Sequence, residues 1–447
     1  MDHTEALPDD ALAAIIGRLG PRDLAASRCV RKAWRAVVDA RRLLLPHLLP
    51  HSVEGIFANY YNHHRPQFLA RPSTRHPGVD YGNLHFLPGY TNGRNKIADH
   101  CNGLLLYGDT RQFCVVNPAT RRWQRLPEIN DNTEVYEAHL AFDPVVSPHY
   151  DVFLITSKDL GLFDVTDCKD AEVPPEQLVE ENFTISIRYL SKPTWSTEVP
   201  QHSAEWPSPV LTLDIFYHWS ARWRYSAYWR GALHVLLCLG AFVTRFSLSD
   251  SKYRVIGTPI DANKRKEGHH YLGSSETGVY FANIHDQIPI WYLSGSNGEV
   301  EWVLKSSIGI EPLANRSSLD PKGICSPWIF DDDPILDRYG NNTKLEEVIF
   351  NWNWDDDNIL DTNHECRLTY AFYRLLGFHP YKEIAFFLVK QFELVAYHLD
   401  SSKVQYIGCL RPTYDTIISV EESFLYTPCM MGDLSENANS DSKLRLR

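Results

Sequence analysis

The sequence predicts a mainly β protein with a small α module at its N-terminus: three short helices, then a β-propeller of six to eight blades, seven being the favoured count. Three observations carry this. Apolar residues recur with helical period across the first 50 residues. From residue 51 the period falls to that of strands, in short apolar runs bounded by Gly, Pro, Asn and Asp. Those runs return about every 48 residues, and a fixed period of that size signals a repeat architecture.

The helices come first. Leu7-Pro8-Asp9-Asp10 reads as a helix start, because proline wastes no N–H there and aspartates suit the positive end of the helix dipole. Leu12, Ile15, Ile16 and Leu19 form one stripe, and Gly20-Pro21 ends it. A second helix opens at Arg22 or Asp23. A third stripe follows at Val30, Ala33, Trp34, Val37 and Val38, and Pro46 and Pro50 close the region. Modules of this size bury too little surface to be stable alone, so a partner surface is expected.

The strands follow. Runs start at Gly55, Gly103, Asp151, Gly231, Gly278 and Glu383, spaced 48, 48, 80, 47 and 105. The interval of 105 reads as two units and that of 80 as one unit with an insert. Inside each unit a second apolar strand leads through a polar turn to an aromatic: Phe113–Val116 to Trp123, Val243–Leu248 to Tyr253, Ile290–Leu293 to Trp302, Leu394–Leu399 to Tyr406. That is blade arithmetic, since ring closure leaves few exposed edges. Val420–Tyr426 is expected to complete the blade begun near Gly55. The domains are then residues 1–50, residues 51–432 with inserts at about 156–212 and 305–366, and a polar tail 433–447.

Composition excludes several classes. The chain has 447 residues and net charge −12, so nucleic acid is not an expected partner. Mean hydropathy is −0.32, no apolar run reaches membrane-spanning length, and the first residues lack a signal-peptide pattern, so no membrane partner is expected. Nine scattered cysteines without a C-x-x-C pair fit reduced thiols, hence a cytoplasmic or nuclear location. Charge is uneven: residues 331–367 hold eleven acidic against three basic side chains, while residues 1–50 hold eight basic against six acidic.

Leu7-Pro8-Asp9-Asp10 with Leu12, Ile15, Leu19, Pro21, Leu24, Val30 and Trp34 resembles an F-box, the adaptor-docking module of SCF-type ubiquitin ligases, over about residues 5–45. The resemblance implies that Leu7, Pro8, Leu12, Ile15, Leu19, Leu24, Val30 and Trp34 grip a Skp-type adaptor, which joins the chain to a cullin. Ala11 is smaller than the large aliphatic often found there, and Gly17 weakens the first helix by about 1 kcal/mol relative to Ala. Further on, Asp99–Leu106, Val116–Trp123, Ala141–Pro144, Tyr228–His234 and Leu376–Tyr381 resemble the F-box-associated region of plant F-box proteins, closest to the large grass families.

Chemistry is sparse. His364-Glu365-Cys366-Arg367-Leu368 lacks the second histidine of a zincin, and the segment from Asp355 lacks the glycine and final glutamate of a calcium loop. Gly273–Gly278 continues Val-Tyr rather than Lys-Ser/Thr, so it is no P-loop. His63-His64 and His269-His270 read as loop pairs, because neighbours on a strand point to opposite faces. No catalytic residue, metal or cofactor is therefore assigned. The resemblance implies a non-catalytic receptor subunit of a ubiquitin ligase that presents an unknown target protein. The alternatives are a propeller enzyme of sugar- or copper-oxidase type and a non-ligase interaction scaffold. The acidic stretch reads first as a solvated inserted loop; as a recognition element it would call for a basic target segment.

Overall fold

The computed structural model describes residues 8–61, 65–157, 185–191, 226–309 and 373–430, each with short gaps, together with 328–330 and 359–360. Among them are three helices: α1 (Asp9–Ile16), α2 (Pro21–Val30) and α3 (Lys32–Ala40). Pro8 caps α1, its carbonyl accepting the Leu12 N–H at 3.0 Å, with Asp9 and Asp10 behind it. Arg31 is extended (φ −152°, ψ 152°), so α2 and α3 meet head to tail across one non-helical residue. That break corrects the expected third stripe. Val30 closes α2 and is rotated away from the α3 face that buries Val37 and Val38.

The rest is β. Sheet I joins β1 (Gly55–Tyr60) and β2 (Gln67–Ala70) to β18 (Ile329–Phe330) and β24 (Val420–Tyr426). Sheet II is β3 (Lys96–Cys101), β4 (Leu104–Gly108), β5 (Phe113–Asn117) and β6 (Arg122–Arg125). Sheet III has three strands, β7 (Glu134–Phe142), β8 (Tyr150–Ser157) and β9 (Ile185–Ser191). Sheet IV is β10 (Ser226–Trp229), β11 (Ala232–Leu237), β12 (Phe242–Ser247) and β13 (Tyr253–Gly257). Sheet V is β14 (His269–Ser275), β15 (Gly278–Ile284), β16 (Gln287–Ser296) and β17 (Glu299–Gly309). Sheet VI is β20 (Tyr373–Phe378), β21 (Ile384–Val389), β22 (Glu393–His398) and β23 (Val404–Cys409), with β19 (Ile359–Leu360) outside β23.

First strands of successive sheets neighbour one another, β3 by β7, β7 by β10, β10 by β14, β14 by β20 and β20 by β24. Side chains stitch these seams. The Asn59 amide donates to the Ile97 carbonyl (2.7 Å) and accepts the Ile97 N–H (3.2 Å), tying sheet I to sheet II. Asp99 accepts the Leu140 N–H at 2.8 Å, and Ser275 donates to the His379 carbonyl at 2.7 Å. The arrangement is propeller-like and mainly β, with apolar wedges between neighbouring sheets. Because β1, β4 and β21 are buried on both sides, they read in the sequence as unbroken apolar runs.

Each of the six run starts lies within one residue of the second strand of a sheet. The favoured seventh blade is not among the described residues. Within the 105-residue interval the two described strands, β18 and β19, extend the edges of sheets I and VI instead of founding a sheet. The expected closure at Val420–Tyr426 is present: β24 pairs with β1 from Gly55↔Tyr426 to Asn59↔Glu422. His269-His270 is on β14 rather than in a loop, His269 exposed and His270 buried, as strand alternation requires. His63-His64 and most of the acidic stretch and of both inserts lie outside the described residues.

Two hairpin glycines give a paired prediction. Gly103 (φ +86°) sits where a Cβ would come within 2.6 Å of the Cys429 backbone N and Cβ; Gly231 (φ +75°) has nothing within 4 Å. Gly231→Ala therefore carries only left-handed strain, about 1 kcal/mol, and Gly103→Ala adds overlap with backbone. Urea midpoints should fall clearly further for Gly103→Ala; equal shifts would refute the close approach.

Candidate functional site

The helical module has a small core: Leu12, Ile16, Leu24, Val37 and Val38 are buried, with Ala13, Trp34, Leu43 and Leu44 packed at its rim. Asp39 holds Arg28 at 2.9 Å and Arg35 at 3.6 Å, and Arg41 pairs with Asp10, fixing α3 against both other helices. The residues expected to bind an adaptor thus divide. Leu12 and Leu24 are spent inside the module and Trp34 is half-buried. Pro8 is exposed, and Ile15, Leu19 and Val30 are 54%, 37% and 59% exposed. Leu7 lies outside the described residues. Leu19 falls past the end of α1, which is why helical spacing alone does not bury it.

On the ring, the plant-type motifs converge. Four of them contain the end of a first strand and its turn towards the second; the fifth, Val116–Trp123, turns from β5 into β6, and its Asn117 donates to the Cys429 carbonyl at 2.9 Å. Cys101 Sγ (3.2 Å) and Asn102 Nδ2 (2.7 Å) both donate to the Phe142 carbonyl, so β3 and β7 finish side by side. Tyr381 feels Cys429, Cys101 and Asp143, and Tyr228 feels Cys101 and Asp143; burial first, then these neighbours, push both phenols well above the usual tyrosine range. Arg230 stacks 4.6 Å over Trp229. Across sheets V and VI the Glu383 carboxylate accepts from Tyr280 and Thr277, each at 2.8 Å, with Lys305 at 3.5 Å.

Sequence reasoning missed Val145 and Val146, 52% and 69% exposed in the β7–β8 turn, and Met430, 42% exposed just beyond β24. Only the turn geometry reveals the two valines: Asp143 accepts the Val145 N–H at 3.0 Å in an Asx turn, and both stand exposed on it. This face can hold a partner by apolar and aromatic contact. Among the described residues no three His, Cys, Asp or Glu side chains are placed to hold a metal.

Two buried histidines set the acid limit. Burial, with Arg245 nearby, lowers His234 to about 4; burial, with Lys382, Arg71 and His398, lowers His379 to about 3. Both are neutral when folded and take up a proton on unfolding below the ordinary 6.5. Their contribution is intact above pH 6.5 and is lost as pH falls towards 4 and 3, about 2 kcal/mol each by pH 5. Urea midpoints at pH 8, 6.5 and 5 should show this, and His234→Leu should flatten the decline.

A helical module with exposed apolar residues, set before a propeller-like β ring, defines a two-part architecture whose surfaces suit protein contacts. No family model matches the chain. Among curated proteins it is similar to F-box protein At5g07610 of Arabidopsis thaliana, 21% identical over 236 residues, 49% of each chain. Two further Arabidopsis proteins, At5g44220 and At3g52320, also carry the F-box label in their names. The first is 29% identical over 148 residues (32% of this chain, 48% of that one), the second 23% over 298 residues (63% and 67%). The chain spans about half the length of two of these relatives and two thirds of the third. These matches relate it to the plant F-box proteins; all are from Arabidopsis, so they bear on the plant family and not on its grass branch. A solved structure of YCF48 bound to a D1 peptide overlays with TM-score 0.32 and 8% identity over 79% of this chain and 81% of that one, too loose to carry an argument.

Proposed function

We propose that the chain is the substrate-recognition subunit of an SCF-type cullin–RING ubiquitin ligase. The helical module docks a Skp-type adaptor, and through it a cullin; the ring, read as a six-bladed propeller, presents a target protein. It is a non-catalytic subunit, the ubiquitin-transfer chemistry residing on other subunits, and it works in the cytoplasm or nucleus. The observation that carries the reading is the exposure of Ile15, Leu19 and Val30 on a module with so small a core. Apolar side chains of this size concentrated on one small module mark a protein interface. Relatives named as F-box proteins supply independent support. The target-binding face is the end of the ring with Val145, Val146, Trp229, Arg230 and Met430. The test is purification of the full chain from plant extract under mild salt. Adaptor and cullin should co-purify in near-equal amounts, and a chain that recovers neither is not a ligase subunit.

A further inference from the structure

The outer edge of sheet V differs from the others. β17 runs 11 residues, against 4 in β6 and 5 in β13, and among the described residues no strand pairs with its outer side. Two other outer edges are covered, β2 by β18 and β23 by β19, and the others uncovered among the described residues, β6, β9 and β13, are all shorter than β17. Edges are usually kept short or guarded by charge, proline or a bulge. β17 has no proline, and its bulge falls at Lys305, whose ammonium is drawn back onto Asp400 (2.9 Å) and Glu383 (3.5 Å). Val300, Trp302 and Leu304 share one side of the strand. The Trp302 indole is fixed by its N–H bond to the Gly257 carbonyl (2.7 Å), and Leu304 beside it is 55% exposed.

We propose that β17 is a strand-to-strand interface with a second copy of this chain. An antiparallel pair with its two-fold axis at Val303 sets Trp302 opposite the partner subunit's Leu304, and Leu304 opposite the partner subunit's Trp302. One side of the joined sheet then carries four apolar side chains in succession, the kind of cross-strand pairing that stabilises sheets. On the other side Glu301 falls opposite a lysine, not a like charge. An axis at Trp302 sets Glu301 against Val303, and one at Leu304 sets Trp302 against Ser306, so the register is specified. The contact is isologous and closes as a two-fold dimer. It displays two helical modules and two ring faces, whatever each of them binds.

The full chain should sediment at about twice 51.4 kDa at micromolar concentration. Leu304→Lys should weaken the dimer by about tenfold or more. Val255→Lys, at a 43% exposed valine on the edge strand β13, should leave it unchanged. Val303→Cys should be joined across the axis by a short bismaleimide, giving a covalent dimer that Glu301→Cys and the native chain do not give. A chain that stays monomeric at tens of micromolar, or a dimer indifferent to Leu304→Lys, overturns the proposal. So does a monomer whose β17 amides are fully protected from exchange, since its own residues then cover the edge.

Discussion

A chain carrying Ile15→Asp and Val30→Asp is expected to lose the Skp-type adaptor in pull-down while the ring keeps its melting transition. Both side chains are more than half exposed, so the substitutions change the isolated module by only about 0.5 kcal/mol. At an interface they place carboxylates where apolar surface would be buried. Hot-spot residues are worth about 2–4 kcal/mol each, so two together reduce binding beyond detection. Leu24→Ala supplies the contrast. Leu24 is fully buried beneath this surface, and its truncation costs about 2–5 kcal/mol of folding. It should weaken binding only by unfolding the module, with loss of helical signal. Undiminished adaptor capture by the Ile15→Asp, Val30→Asp chain would remove these residues from the interface.

What the sequence shows and hides follows from burial. The second strands were legible because neighbouring wedges bury them on both sides, leaving apolar runs with no polar interruption, as in Ile384–Val389. First strands, β24 excepted, were not. β3, with Lys96, Asp99 and His100, and β14, beginning His269-His270, use polar side chains to stitch one sheet to the next, so their pattern reads as loop. At the 105-residue interval the described residues show no added sheet: β14 of sheet V lies directly beside β20 of sheet VI, and β18 and β19 extend sheets I and VI. In the helical module the spacing identified the apolar residues but could not separate core from surface. That separation depends on Arg31, whose extended backbone turns Val30 outward. The ring face was legible as motifs, yet its exposed Val145 and Val146 stand out only once the turn geometry is known.

Ending the chain at Ser419 is expected to destroy the ring, and ending it at Met430 to leave the ring stable. The first truncation removes β24, the only partner of β1 on that side, along its whole length from Gly55 to Tyr60. Phe57 then loses Tyr426, which it meets edge-on at 5.3 Å, and keeps Phe68 at 4.5 Å. Phe424, Leu425 and Tyr426 are buried and worth about 1.5–3 kcal/mol apiece. The polar losses are as serious. Arg374 is buried with its guanidinium on the Val420 and Glu421 carbonyls, and Asn59 contacts Glu422 at 3.1 Å. Asn59 keeps the Ile97 carbonyl, but removing two carbonyls from a buried guanidinium costs about 1–3 kcal/mol or more. Together these losses match the whole net stability of an ordinary domain, about 5–15 kcal/mol. The shorter chain should bind a hydrophobic dye and show no cooperative melt, and a synthetic peptide of residues 419–430 added in trans should restore one. A chain ending at Ser419 that melts like the full protein would mean that β24 does not close the ring.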